Sequence, residues 1–187
     1  MKIIFIRHGK TLGNEQHKYI GVTDESLSEN GIKEILQKKY PKAQRIIASP
    51  LKRCVETADL IYKQKPEIFN DLREYDFGEF ENKGYEDLKD NPIYKKWLSS
   101  DGKDTFPVGE GQENFSVRCC DCFKEIIKNN STESIAFVIH GGVIMSILEK
   151  FAMEKKSFYQ WQTKNGCGYI FELEDSENIA LKFNKKI

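Results

Sequence analysis

A chain of 187 residues fits one domain with a single well-packed core. Hydrophobic residues make up 39%, aromatics 12% and charged residues 31%, which excludes a disordered chain, a collagen-like repeat and a disulfide-dense miniprotein. The 29 basic residues balance the 29 acidic ones, so the overall field gives no attraction to nucleic acid or to an anionic membrane, and any anion site must be built locally.

Near the N-terminus only Ile3 to Ile6 are consecutively apolar before Arg7, too few for a signal-peptide core, and no later stretch approaches the ~20 apolar residues of a membrane helix. A cytoplasmic location is expected. Five cysteines without a secretory signal read as reduced thiols. Cys119 and Cys122 share one helical apolar stripe with Phe115, Phe123 and Ile126, so the Cys119/Cys120/Cys122 cluster is read as buried structural thiols rather than as a metal site.

Three apolar runs, Ile3 to Ile6, Ile46 to Ala48 and Ile135 to Ile139, predict buried strands of a mostly parallel sheet. Ser28 predicts an N-cap for a helix through Ile32, Ile35 and Leu36 that Pro41 stops. Ser49-Pro50 predicts a second helix, with Ser49 as cap, Pro50 in the first turn and Leu51, Val55, Ala58 and Ile61 inward. A further helix follows the third strand through Ile144, Ile147, Leu148 and Phe151. Cys167 to Leu173 and Ile179 to Phe183 predict an antiparallel hairpin at one sheet edge. Residues 70–111 interrupt the alternation with aromatics, acids and short helical pieces at Tyr85 to Asp90 and Ile93 to Leu98, and predict a small cap inserted into one domain spanning 1–187. The expected fold is a three-layer α/β/α sandwich with a mostly parallel sheet and an antiparallel edge.

In such sheets ligands bind beyond the carboxyl ends of the strands. Two of those positions hold His-Gly: Arg7-His8-Gly9 follows the first run and His140-Gly141-Gly142 the third, while the helix after the second run carries Arg53. Only three histidines and five arginines occur among the 187 residues. Arginine is therefore informative at positions 7 and 53, because its planar fork binds phosphate bidentately. Two arginines, two imidazoles and a helix N-terminus converging on one point would hold a tetrahedral anion, and an imidazole there can form a phosphohistidine. A proton donor for the leaving alcohol could come from Glu74, Asp76, Glu79 or Glu81, among which composition and spacing do not choose. His17 in its polar loop reads as exposed, and Trp97, Trp161 and Phe106 are candidates to face a flat base.

The segments Ile4 to Asn14, Tyr19 to Asp24, Ser49 to Ala58, Leu72 to Gly78, Phe106 to Gly111 and Val138 to Val143 resemble the histidine phosphatase superfamily, in the branch that also holds cofactor-dependent phosphoglycerate mutase. Within it the chain is most similar to the α-ribazole 5′-phosphate phosphatase group, through Gly78-Glu79-Phe80-Glu81 and Asn165-Gly166-Cys167-Gly168. The resemblance implies a metal-independent phosphomonoesterase without cofactor, in which His8 is the nucleophile and Arg7 and Arg53 clamp the phosphate. It implies that His140 bonds the transferring phosphoryl, that Glu74 donates the proton, and that Asn14, Gly21 and Gly141 line the phosphate site. The implied substrate is a small phosphate ester such as α-ribazole 5′-phosphate or adenosylcobalamin 5′-phosphate, in cobalamin biosynthesis, and a homodimer stands open. Lys10, where the family usually has an acid, is expected to favour a more anionic substrate. The short cap favours hydrolysis over mutase chemistry. A broad-specificity phosphatase, a mutase and a non-catalytic phosphate-binding or phosphotransfer module are the other readings.

Overall fold

The computed structural model describes residues 1–100 and 106–187, so residues 101–105 of the expected cap lie outside the described residues. In chain order the elements are β1 (Lys2–Arg7), α1 (Leu12–Glu15), α2 (Glu29–Leu36), β2 (Arg45–Ala48), α3 (Lys52–Tyr62), β3 (Glu67–Ile68), α4 (Tyr85–Leu88), α5 (Pro92–Ser99), α6 (Gln112–Lys128), β4 (Ser134–Ile139), α7 (Gly141–Phe151), β5 (Gly168–Asp175) and β6 (Ala180–Lys186). The six strands form one sheet in the order β3-β2-β4-β1-β5-β6. β1, β2, β3 and β4 run parallel, and β5 and β6 form the antiparallel edge.

The strand period of two sorts the apolar runs onto opposite faces. Ile3, Phe5, Ile47, Ile135, Phe137 and Ile139 face one core, which the buried side chains of α6 and α7 complete. Ile4, Ile6, Ile46, Ala48, Ala136 and Val138 face the other, against Cys54 and Ala58 of α3. These are the three layers expected. The Cys119, Cys120 and Cys122 side chains are all buried on α6, and burial raises each thiol's pKa.

Three boundaries differ from expectation. α2 begins at its predicted cap, with the Ser28 hydroxyl accepting from the Gly31 N–H, but stops at Leu36 rather than at Pro41. Lys38 Nζ and Tyr40 Oη both donate to the Gly166 carbonyl, which draws residues 38–40 off the helix axis. α3 begins at Lys52 with Leu51 at the cap, so Pro50 precedes the helix and Ser49 does not cap it. The Ser49 hydroxyl is instead 2.8 Å from the His140 ring. β3 went unpredicted, because a two-residue strand at a sheet edge has too little sequence for alternation to register.

The segment before α6 carries 3₁₀ turns at Asn70–Leu72 and Gly78–Phe80 as well as α4 and α5. It is held by aromatic packing. Tyr94, Trp97 and Phe106 surround Phe80, and Tyr75 stacks on Phe115 of α6 at 3.6 Å between centroids and 16°.

Candidate active site

β1 and β4 are parallel neighbours with Arg7 opposite Ile139. The residues that follow, His8 and His140, therefore leave the sheet side by side at its carboxyl edge. Their rings stand 5.2 Å apart at 65°. His8 Nδ1 is 2.7 Å from the Gly9 carbonyl oxygen. A carbonyl only accepts, so Nδ1 carries the proton and Nε2 the lone pair, the tautomer a nucleophile at Nε2 requires. Burial, with the charges of Arg53 and Arg7 adding to it, holds the His8 pKa well below the ordinary 6.5 against the opposing pull of the Gly9 bond. The ring is neutral at pH 7.

His140 is the N-cap residue of α7 and is wholly buried. Its Nε2 meets the Ser49 hydroxyl at 2.8 Å and the Cys54 thiol at 3.4 Å. Burial, then Arg53, His8 and Arg7, depress its pKa as well.

Two guanidinium groups flank the imidazoles. Arg7 Nη1 donates to the Thr163 carbonyl at 2.8 Å. Arg53, with none of its surface exposed, donates to the carbonyls of Thr23 and Gly21, each at 2.7 Å. Nε of both arginines is buried without a hydrogen-bond partner among the described residues. Leaving a buried donor so costs roughly 1–3 kcal/mol or more. Each guanidinium thus keeps a donor for an oxyanion.

Glu74 lies opposite, with 8% of its surface exposed. Its Oε1 accepts from the Tyr75 N–H and its Oε2 from the Gly142 N–H at the start of α7, both at 3.1 Å. Burial raises its pKa, against the pull of those two bonds and of Arg7 and Arg53. A carboxyl whose proton is held more tightly than usual is suited to release it to a leaving alkoxide. The other three acids are occupied or outside. Asp76 accepts from the Gly78 N–H, Glu79 is exposed, and Glu81 gathers the N–H groups of Gly21, Val22 and Phe77 and the Thr23 hydroxyl.

Arg7, His8 and Glu74 line a cavity of about 220 Å³ together with Asn14, Gly141 and Gly142. Asn14 Oδ1 is taken by the Thr11 N–H and the Asn165 side-chain amide, which leaves its own NH2 for a ligand. Beyond the polar end the wall is aromatic, with Tyr19, Tyr75, Phe77, Trp97 and Phe106. Arg53 and His140 are not on that lining, and the His140 ring packs edge-on against His8. Glu74 is the one carboxylate on the lining among the described residues.

Several expectations change. Gly21 is not on the lining; its N–H goes to Glu81 and its carbonyl to Arg53, and a Cβ there would stand 1.8 Å from the Tyr75 carbonyl oxygen. Lys10 turns away to Glu34 at 2.6 Å and adds no charge to the cavity. Trp161 is buried against Tyr169 and Phe171, away from the pocket, whereas Trp97 and Phe106 do line it. His17 is exposed.

Residues 3–186 match the family described as histidine phosphatase superfamily, branch 1. The chain belongs to that superfamily. It is therefore an enzyme of the phosphatase kind. Phosphoglycerate mutase-like protein 4 of Arabidopsis thaliana is 32% identical over 162 residues, 80% of this chain and 70% of that protein. Phosphoserine phosphatase 1 of Hydrogenobacter thermophilus is 24% identical over 98% of this chain and 92% of its own length. The solved structure of the α-ribazole phosphatase from Shigella flexneri superposes with a TM-score of 0.83 at 25% identity, covering 98% of this chain and 95% of that one.

Within this histidine phosphatase, four residues have supporting contacts that their sequence context does not signal. Ser49 signals only a cap by its place before Pro50, yet it meets His140 from 91 positions away. Gly142 gives its N–H to Glu74, and a Cβ there would meet Glu74 Oε1 at 2.4 Å. Asn165 donates to the His8 carbonyl, and the Gly166 N–H reaches the carbonyls of Arg7 and His8, so the 165–166 turn fixes the backbone under the imidazole. No helix among the described residues is long and apolar enough to cross a membrane.

Proposed function

We propose that this enzyme is a metal-independent phosphomonoesterase that acts through phospho-His8 on a small phosphate ester with a flat leaving group, of the α-ribazole 5′-phosphate kind. One observation carries the reading: a neutral His8 with its Nε2 lone pair free shares one cavity with Arg7 and with a buried, high-pKa Glu74. In the first step Nε2 attacks phosphorus and the bond from phosphorus to the ester oxygen breaks. The Glu74 proton passes to the leaving oxygen, while Arg7 on the lining, backed by the nearby charge of Arg53, holds the negative charge of the transferring group. In the second step the Glu74 carboxylate takes a proton from water as that water attacks phosphorus. The N–P bond then breaks, which restores His8 and the protonated Glu74. The aromatic wall supports a planar base on the leaving alcohol. The structural likeness to the α-ribazole phosphatase of Shigella flexneri supports that substrate class.

The test is phosphate release from α-ribazole 5′-phosphate, 4-nitrophenyl phosphate and 3-phosphoglycerate in EDTA, for wild type and His8→Ala. The expected result is a His8-dependent preference for α-ribazole 5′-phosphate. Equal slow turnover of every ester would remove the substrate assignment. Phosphate transfer within 3-phosphoglycerate without net release would favour a mutase.

A further inference from the structure

Glu74 sits on a strap of residues 70–76 that belongs to no strand and, beyond the short turn at Asn70–Leu72, to no helix, so something must keep its carboxyl on the pocket wall. Arg118, in the middle of α6, supplies what the strap lacks. Its Nη1 donates to the carbonyls of Asp71 and Arg73 at 2.8 and 2.9 Å, and its Nη2 to the carbonyl of Glu74 itself at 3.1 Å. Nε and Nη2 also form a two-pronged pair with the Glu110 carboxylate at 2.8 and 2.7 Å. A guanidinium has five N–H groups, and this one spends five hydrogen bonds on these two partners, the strap backbone and Glu110. A longer contact of 3.6 Å runs to the Cys119 thiol. Both charged side chains are 19% exposed, so the pair is largely screened from water.

Glu110 closes the clamp at the other end, because its own N–H donates to the Asp76 carbonyl at 2.9 Å. Phe115, one turn before Arg118, lies under the guanidinium at 4.8 Å and stacks on Tyr75. One helix thereby holds the residue before Glu74, the residue after it and its own carbonyl. Lysine cannot replace this, since a single ammonium has three donors and no fork.

We infer that Arg118, braced by Glu110, is a positioning residue for the proton donor: it fixes the strap so that the Glu74 carboxyl meets the leaving group. The inference rests on the reading of Glu74 as that donor. Arg118 is not on the lining of the cavity, so its loss should show where Glu74 matters and not elsewhere. Breaking an ester with a poor leaving alcohol needs the proton, whereas 4-nitrophenolate leaves without it.

The experiment measures kcat/KM for 4-nitrophenyl phosphate and for glycerol 2-phosphate in wild type, Arg118→Met, Arg118→Lys, Glu110→Gln, Glu74→Gln and the Glu74→Gln/Arg118→Met double variant. For Arg118→Met, a loss of about 100-fold on the alkyl ester and less than about fivefold on the aryl ester is expected. Arg118→Lys and Glu110→Gln keep the packing and should show the same selectivity at about tenfold, and they decide the matter if Arg118→Met does not fold. In the double variant Arg118→Met should add no further selective loss, since both changes act on one proton transfer. Equal slowing of both esters by the folded Arg118 and Glu110 variants would overturn the inference and leave Arg118 as packing. An unselective Glu74→Gln would overturn the reading of Glu74 itself, which separates the two failures.

Discussion

His8 and Glu74 share one cavity, yet they are held in it by different means. The backbone of His8 is part of the sheet edge: its N–H donates to the Ile139 carbonyl, and its carbonyl takes the Gly166 N–H and the Asn165 amide. Glu74 has no such ladder and depends on the Arg118 guanidinium, on aromatic stacking and on the N–H of Gly142. His8, the proposed nucleophile, thus inherits the rigidity of parallel strands, while Glu74, the proposed acid, is placed by side chains from α6 and by the first turn of α7. His8 is fixed by the fold as a whole, and Glu74 by a separable set of contacts that substitutions can loosen without unfolding the sheet.

That contrast can be broken most sharply at the seam between the two regions. Gly142→Ala places a methyl 2.4 Å from Glu74 Oε1, the movable end of a flexible side chain, and within 3.1 Å of Phe115 and 3.2 Å of Tyr75. The expected outcome is a folded protein whose kcat/KM on alkyl phosphates falls about 100-fold while kcat/KM for 4-nitrophenyl phosphate is spared, on the scale of lost general acid catalysis. Loss of both activities together, with an unchanged circular dichroism spectrum, would mean that Gly142 serves the phosphate rather than the acid.

A smaller effect is expected on the aromatic wall. Phe77 is half-buried, lines the cavity and packs on Tyr75 and Phe106. Phe77→Leu should raise KM for α-ribazole 5′-phosphate about three- to tenfold with kcat kept, as befits one aromatic contact worth roughly 0.5–1.5 kcal/mol. Glycerol 2-phosphate should be indifferent to the change. A fall in kcat for both esters would show that Phe77 supports the strap and not the leaving group.

The smallest effect separates the floor from the wall by pH. Both buried histidines stay neutral in the fold, whereas in the unfolded chain they titrate near 6.5. Below that value the unfolded state binds more protons, so stability is full above it and falls on acidification, by up to about 1.4 kcal/mol per pH unit for each histidine. Glu74 works in the opposite sense: its raised pKa gives stability that is present below the ordinary 4.5 and is lost as pH rises through the folded value. Melting temperatures between about pH 7.5 and about pH 5.5 should fall with pH in wild type and fall less steeply in His8→Asn. Parallel slopes would contradict the neutral burial of His8.

The same contrast governs what could be read from the residues. Apolar runs of three to five located β1, β2 and β4 because a buried parallel strand is written locally, and the two His-Gly pairs stand at the ends of β1 and β4 for the same reason. Arg53 was legible as an arginine in the first turn of a helix that follows a strand. The wall was not. Nothing local distinguishes Glu74 from Asp76, Glu79 and Glu81; only resemblance chose it, and the physical difference is burial beneath contacts with Gly142 and α6. Arg118 carries no signal either, since its carbonyl acceptors lie 44 to 47 positions upstream. Ser49 was misread because a cap is a local reading, whereas its partner His140 follows the neighbouring strand 91 positions on.

The most direct test of the mechanism is to trap the intermediate. Glu74→Gln mixed with 4-nitrophenyl phosphate and quenched in alkali within one turnover should carry phosphate on the peptide that contains His8. That phosphate should be lost on acidification and be absent from the His8→Ala/Glu74→Gln protein. Phosphate on another residue, or rapid release with no phosphoenzyme at any time, would contradict the assignment of His8 Nε2 as the nucleophile.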